Sequence, residues 1–173
     1  MPVAAPTIYL LLGLKGSGKS IAGKLLEQHC NIPFLPVEAW VKALPFEPEV
    51  NNEAYLQAVF QRIEAGVRSA LLEHERVSFE STGLTPYFDA MLGKLQQEFR
   101  VITIRLEAMP ETCLQRVQSR NQAAHLPFTQ EAVADINRQV LAKKVPAQHR
   151  IANHSNNAEA LLAALLRVIQ NKG

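Results

Sequence analysis

Cysteine is almost missing from this chain. Cys30 and Cys113 are the only two in 173 residues, and their spacing is not that of metal ligands. That excludes a disulfide framework and a small zinc module. Both fall in apparent helices, where they read as reduced core thiols. Charge of one sign is also scarce. A formal net charge of +2 is too small to argue for a long nucleic-acid partner. Long apolar runs are absent, so no segment is suited to crossing a membrane. The first six residues, Met1-Pro2-Val3-Ala4-Ala5-Pro6, lack the basic and apolar regions of a signal peptide. No repeat or low-complexity segment stands out. These absences predict a cytoplasmic protein with no membrane partner and no expected nucleic-acid partner, acting as a monomer or homodimer.

What is present is a globular composition. Hydrophobic residues make up 47% and charged residues 20%, enough apolar material for one domain spanning residues 1–173 with a sizeable core.

Within it, Gly13-Leu14-Lys15-Gly16-Ser17-Gly18-Lys19-Ser20 matches the phosphate-binding pattern Gly-x-x-x-x-Gly-Lys-Ser in full. Its context fits too. Thr7 to Leu12 reads as a buried strand, and Ile21 to Cys30 as a helix. Glycines let successive backbone N–H groups curl around a phosphate, and the helix start adds unpaired N–H groups and partial positive charge. Gly13, Lys15, Gly16, Ser17, Gly18, Lys19 and Ser20 are therefore the expected ATP-binding residues. Lys19 would reach the β- and γ-phosphates, and the Ser20 hydroxyl would bind Mg²⁺.

Strands and helices alternate along the rest. Phe34 to Glu38 reads as a short second strand, irregular because of Pro33 and Pro36. A helical turn over residues 39–44 and a loop over 45–49 follow. Asn52 to Glu75 carries an apolar stripe of helical period through Leu56, Val59, Phe60, Ile63, Val67, Ala70 and Leu71. Residues 76–80 form a third strand. Thr85 caps a helix that has Pro86 at its first position and runs to Glu98. Residues 100–106 form a fourth strand, 110–120 a helix, and 121–128 a polar loop. Thr129 caps a helix ending near Lys144. Residues 150–152 are a last short strand, and 157–170 the closing helix. The pattern predicts an α/β fold: a three-layer phosphate-loop domain with a five-stranded parallel sheet, helices on both faces, and a lid at about 116–128.

Ligands in such sheets sit at the carboxyl ends of the strands. Glu38, at the end of the expected second strand, is the candidate general base for an acceptor hydroxyl; a helix cap is its plainer use. Glu80 closes the third strand, where a second Mg²⁺-supporting acid belongs. Thr82 and Gly83, in the turn after it, would line the acceptor. Arg116 and Arg120, one helical turn apart before the polar loop with Asn121, Gln122, His125 and Pro127, would close over the triphosphate and stabilise the transferring group. Arg62 and Arg68, on the long helix, are candidates for an acidic substrate. Trp40 could wall a pocket, although core packing is its commoner use.

Taken in this order, these residues resemble the small P-loop kinases of the nucleoside-monophosphate-kinase-like group, which includes shikimate kinase and gluconate kinase. The resemblance spans nearly the whole chain, and the phosphate loop is its one highly specific motif. It implies an ATP- and Mg²⁺-dependent phosphotransferase with a small hydroxylated acceptor. The stretch from Phe60 to Gly83 is most similar to shikimate kinase. There the family has a substrate-binding arginine after the phenylalanine, an aspartate at the place of Glu38, and a triple-glycine turn. This chain has Gln61, Glu38 and Ser81-Thr82-Gly83, with Arg62 one residue off, which argues against shikimate. The resemblance implies an adenine pocket partly near Asn153-His154-Ser155-Asn156, without the family's usual acid. Two other readings stay open: a nucleotide-binding switch or adaptor ATPase without a small acceptor, and a kinase of nucleotides or nucleic-acid ends.

Overall fold

The computed structural model describes residues 3–45, 52–120 and 128–171. Among them, eleven elements follow one another: β1 (Thr7–Leu12), α1 (Lys19–Cys30), α2 (Val37–Lys42), α3 (Asn52–Glu73), β2 (Arg76–Ser81), α4 (Pro86–Glu98), β3 (Arg100–Glu107), α5 (Pro110–Ser119), α6 (Gln130–Lys143), β4 (His149–Ala152) and α7 (Ala158–Gln170).

The sheet has the order β2-β1-β3-β4, with every pair parallel. β1 lies inside it and is apolar on both faces, as a strand covered from both sides must be. Its side chains alternate between two cores. Ile8, Leu10 and Leu12 point to one, with Val59, Ile63 and Val67 of α3, Phe79 of β2, and Phe88, Met91 and Leu95 of α4. Tyr9 and Leu11 point to the other, with Leu26 of α1, Ile104 and Leu106 of β3, and Leu161 and Leu165 of α7. Each such leucine or phenylalanine, taken fully from water, contributes ~1.5–3 kcal/mol before entropy is counted.

The sheet has four strands, not five. Phe34 makes a single parallel bridge to Ser78, in which Leu35 N–H donates to Ser78 O at 2.8 Å and Ser78 N–H to Pro33 O at 2.8 Å. Prolines bracket this rung. Neither Pro33 nor Pro36 has an N–H to extend a ladder, and the chain turns at Pro36 into α2. Glu38 consequently sits in the first turn of a helix, not at a strand end.

The expected caps are in place. Thr85 Oγ1 accepts from Phe88 N–H at 3.3 Å, with Pro86 next in line, and Thr129 Oγ1 accepts from Ala132 N–H at 3.1 Å. No described helix is long and apolar enough to cross a membrane.

Candidate functional site

Leu12 pairs with Ser81 and with Arg105, so the chain leaves β1 and β2 side by side at their carboxyl ends. The glycine loop thereby sits next to the turn 81–83. Its curl is closed by Ser17 N–H donating to Leu14 O at 3.1 Å. Three of its glycines have positive φ, Gly13 at 144°, Gly16 at 86° and Gly18 at 102°, a region that L side chains rarely occupy. A Cβ at Gly16 would collide with the Cys113 carbonyl of α5, and one at Gly18 with the Asn153 side-chain amide. The loop is thus wedged between α5 and the segment after β4.

α1 starts at Lys19, earlier than the apolar pattern suggests, so the motif lysine and serine occupy its first turn. Lys19 Nζ is buried and donates to Gly13 O at 3.1 Å and Leu14 O at 2.7 Å. Burial lowers its pKa to about 8, with Glu80 pulling partly back. Ser20 Oγ lies 2.8 Å from Glu80 Oε2 and donates to it. Glu80, on β2, is in turn hydrogen-bonded to Glu38 on α2. Burial is the main cause pushing the Glu80 pKa up; Lys19 opposes it, and Glu38 adds to the rise. Glu38 therefore reaches Glu80 even though the strand expected to deliver it is absent.

Lys15 completes the charged group. Its pKa is lowered by burial first, raised by Glu38 and Glu80, and lowered again by Arg120. Its Nζ stands 4.2 Å from the centre of the Phe128 ring, within range of a cation–π contact. Two buried polar atoms lack a partner among the described residues: Ser17 Oγ in the loop and Arg120 Nε at the end of α5.

Arg116 is already engaged. Its guanidinium donates to Asn156 Oδ1 at 3.1 Å, Gly16 O at 3.3 Å and Asn153 O at 2.8 Å. It ties α5 to the phosphate loop and to the segment after β4, beside an open groove lined by Thr112, Gln115, Ser119 and His154. The remaining residues expected in the lid, 121–127, lie outside the described residues.

After β2, Gly83 is buried with φ 78°, and its N–H donates to Ser81 Oγ at 3.0 Å. Thr82 is half-buried beside it. Lys143 of α6 donates to Gly83 O at 2.7 Å and pairs with Asp89 at 2.9 Å. Arg62 does not join the charged group. Its guanidinium stacks 4.5 Å over the Trp40 ring, in an open groove with Ala65, Gly66, Ser69 and Glu73. Arg68 is held by Glu64 at 3.1 Å and Glu98 at 2.8 Å, which makes it a brace between α3 and α4 rather than a substrate ligand.

Two residues around the site escaped sequence reasoning, Asn137 and Lys143; Asn153, expected near an adenine pocket, donates from its side chain to Ser17 O at 2.8 Å. Asn137 left a trace, as an amide four residues after Val133 on an otherwise apolar helix face. Lys143 reaches Gly83, 60 residues away, and leaves no local pattern.

No protein-family model matches the chain, and no curated protein matches it in sequence. Solved structures do match. The shikimate kinase of Acinetobacter baumannii in complex with shikimate is 21% identical, over 97% of this chain and 95% of that one, with a TM-score of 0.68. The shikimate kinase of Bacteroides thetaiotaomicron is 16% identical over 95% and 98%, at 0.67. A gluconokinase of Sinorhizobium meliloti 1021 is 17% identical over 98% and 97%, at 0.59. At these identities the likeness establishes the fold.

Proposed function

We propose that this chain, which has the fold of the small P-loop kinases of the nucleoside-monophosphate-kinase-like group, is a phosphotransferase. It moves the γ-phosphoryl of ATP to a hydroxyl of a small metabolite or nucleotide. The observation that carries this reading is the chain of contacts Ser20–Glu80–Glu38 at the mouth of the glycine loop. It sets a hydroxyl and two carboxyl groups where a triphosphate's outer end would lie.

The donor set suits Mg²⁺. All of its atoms are hard oxygens, and Mg²⁺ typically takes one or two carboxylates and completes its shell with water and phosphate. No cluster of three His, Cys, Asp or Glu exists among the described residues to form a closed all-protein site. Ser20 and Glu80 would hold the ion, which supplies charge neutralisation at the transferring group.

In the reaction, backbone N–H groups from Gly16 to Ser20 and the Lys19 ammonium hold the phosphates. Lys19 gives up the Gly13 and Leu14 carbonyls to do so. Thr82 and Gly83 line the acceptor. Glu38, ionised, accepts the hydroxyl proton as the acceptor oxygen bonds to the γ-phosphorus and the bond to ADP breaks. Arg120 stabilises the charge on the phosphoryl oxygens.

ADP release measured across polyols, sugar acids, shikimate and nucleosides tests the proposal. The expected outcome is turnover that depends on one acceptor class, little or none with shikimate, and its abolition in Glu38→Gln with ATP binding kept. Hydrolysis indifferent to every acceptor would make the protein a nucleotide-driven switch. Rapid turnover of shikimate would overturn the reading of Gln61.

A further inference from the structure

Asn137 is an amide on an apolar helix face, 3% exposed. It shares that face of α6 with Val133, one turn away, and α6 packs on α5. A buried amide must find partners, and this one finds both in the glycine loop, 122 residues away. Its Oδ1 accepts the Lys15 N–H at 2.8 Å, and its Nδ2 donates to Lys15 O at 3.2 Å. The side chain thus occupies both backbone polar groups of one loop residue, much as a neighbouring strand would.

Two consequences follow. The Lys15 N–H is spent on Asn137, so the loop's phosphate-facing donors begin at Gly16. And with its peptide pinned, the Lys15 side chain departs from a set point and direction. Its Nζ rests over Phe128, with Glu38, Glu80 and Arg120 as its charged neighbours. The Lys19 ammonium is turned back onto Gly13 and Leu14. The loop therefore carries two lysines, and Lys15 is the one with Arg120 among its neighbours.

We propose that Asn137 is a positioning residue: by locking the Lys15 peptide it aims the Lys15 ammonium at the terminal phosphoryl of the bound nucleoside triphosphate. This rests on the phosphotransfer reading above and adds a division of labour to it. Lys19 spans the β- and γ-phosphates, and Lys15 adds a contact to the transferred group alone. Of the described residues flanking the loop, Asn137 alone reaches Lys15 through both backbone groups; Arg116 and Asn153 bind the carbonyls of Gly16 and Ser17.

Titration calorimetry with Mg²⁺ and either ADP or a non-hydrolysable ATP analogue tests this without knowing the acceptor. Asn137→Ala should weaken the triphosphate analogue by roughly tenfold, the scale of one hydrogen bond to a charged group, and ADP by less than about threefold. Lys15→Met leaves the clamp and the fold alone, so it keeps the test open if Asn137→Ala folds poorly. It should show the same selective loss. The double variant should lose no more than either single one, because both act through the same ammonium. Equal losses for the two nucleotides, no loss, or additive losses would overturn the inference while leaving phosphotransfer standing. Failure of the wild-type protein to bind either nucleotide would overturn both.

Discussion

Burial disfavours the charged forms of both Lys19 and Glu80, and the cost is measurable. The pKa of Lys19 sits at about 8, below its ordinary 10.5, because burial disfavours its charge. A phosphate beside it favours the charged form, so nucleotide binding must raise that pKa and take up a proton. Affinity for Mg²⁺–ATP should accordingly fall as pH climbs from about 8 toward 10. Calorimetry at pH 8.5 in buffers of different ionisation heat should show proton uptake. Folding has the opposite sign. Between about 8 and 10.5 the unfolded chain binds more protons at this residue, so Lys19's penalty on folding shrinks as pH rises. Glu80 is the mirror case: its raised pKa means the fold disfavours its ionised form at neutral pH. Glu80→Gln keeps the shape without the charge. It should raise the nucleotide-free melting temperature by roughly 2–4 °C, the equivalent of ~1 kcal/mol in a chain of this size, and should abolish transfer. Stability gained where function is lost is the expected trade at a strained site.

At the scale of elements, α5 carries two arginines with different surroundings. Arg116, inside the helix, is tied by three hydrogen bonds. Arg120, just past its end, has a buried Nε without a described partner. Arg116→Ala should therefore lower the melting temperature and weaken ATP binding together, because it releases the glycine loop from α5. Arg120→Ala should lower kcat by roughly a hundredfold or more with little change in ATP affinity, as loss of an arginine acting in the transition state does. Melting curves and steady-state kinetics on the two variants separate these outcomes. The spacing of Arg116 and Arg120 was legible in the sequence, but this difference was not, since it depends on the loop after β4 arriving under one arginine. The same limit explains residues 33–38. Phe34-Leu35 does touch β2 as a strand would, yet Pro33 and Pro36 allow one rung, and the propensity of a short apolar run could not show where pairing stops. The caps at Thr85 and Thr129 were legible because capping is settled within four residues.

At the scale of the molecule, β1 between β2 and β3 sets where everything reactive lies. Its apolar run and the glycine motif after it were enough to read the α/β class and the order of strand, glycine loop and helix, though not the number of strands. The surroundings of Glu38 were legible only in part. Glu38 reaches Glu80 by way of a helix, and the clamps from Asn137 and Lys143 cross long sequence distances. Because the nucleotide would touch α1, β2 and α5 at once, its binding should stabilise the chain as a unit. At a hundred times its Kd, Mg²⁺–ATP contributes ~2.7 kcal/mol, or roughly 5–11 °C in melting temperature at this size. Lys19→Ala should remove most of that shift while melting as one cooperative transition; an unchanged shift would sink the phosphate-loop assignment. Gly66 adds a practical consequence. A Cβ there would collide with the Trp40 indole, so its absence lets that ring pack close against α3 with Arg62 over it. Trp40 is the single tryptophan of the chain, and it stands two residues from Glu38. The protein thus contains its own optical probe: any sliding of α2 on α3 as an acceptor enters would unstack the guanidinium and change the intrinsic emission, with no label added.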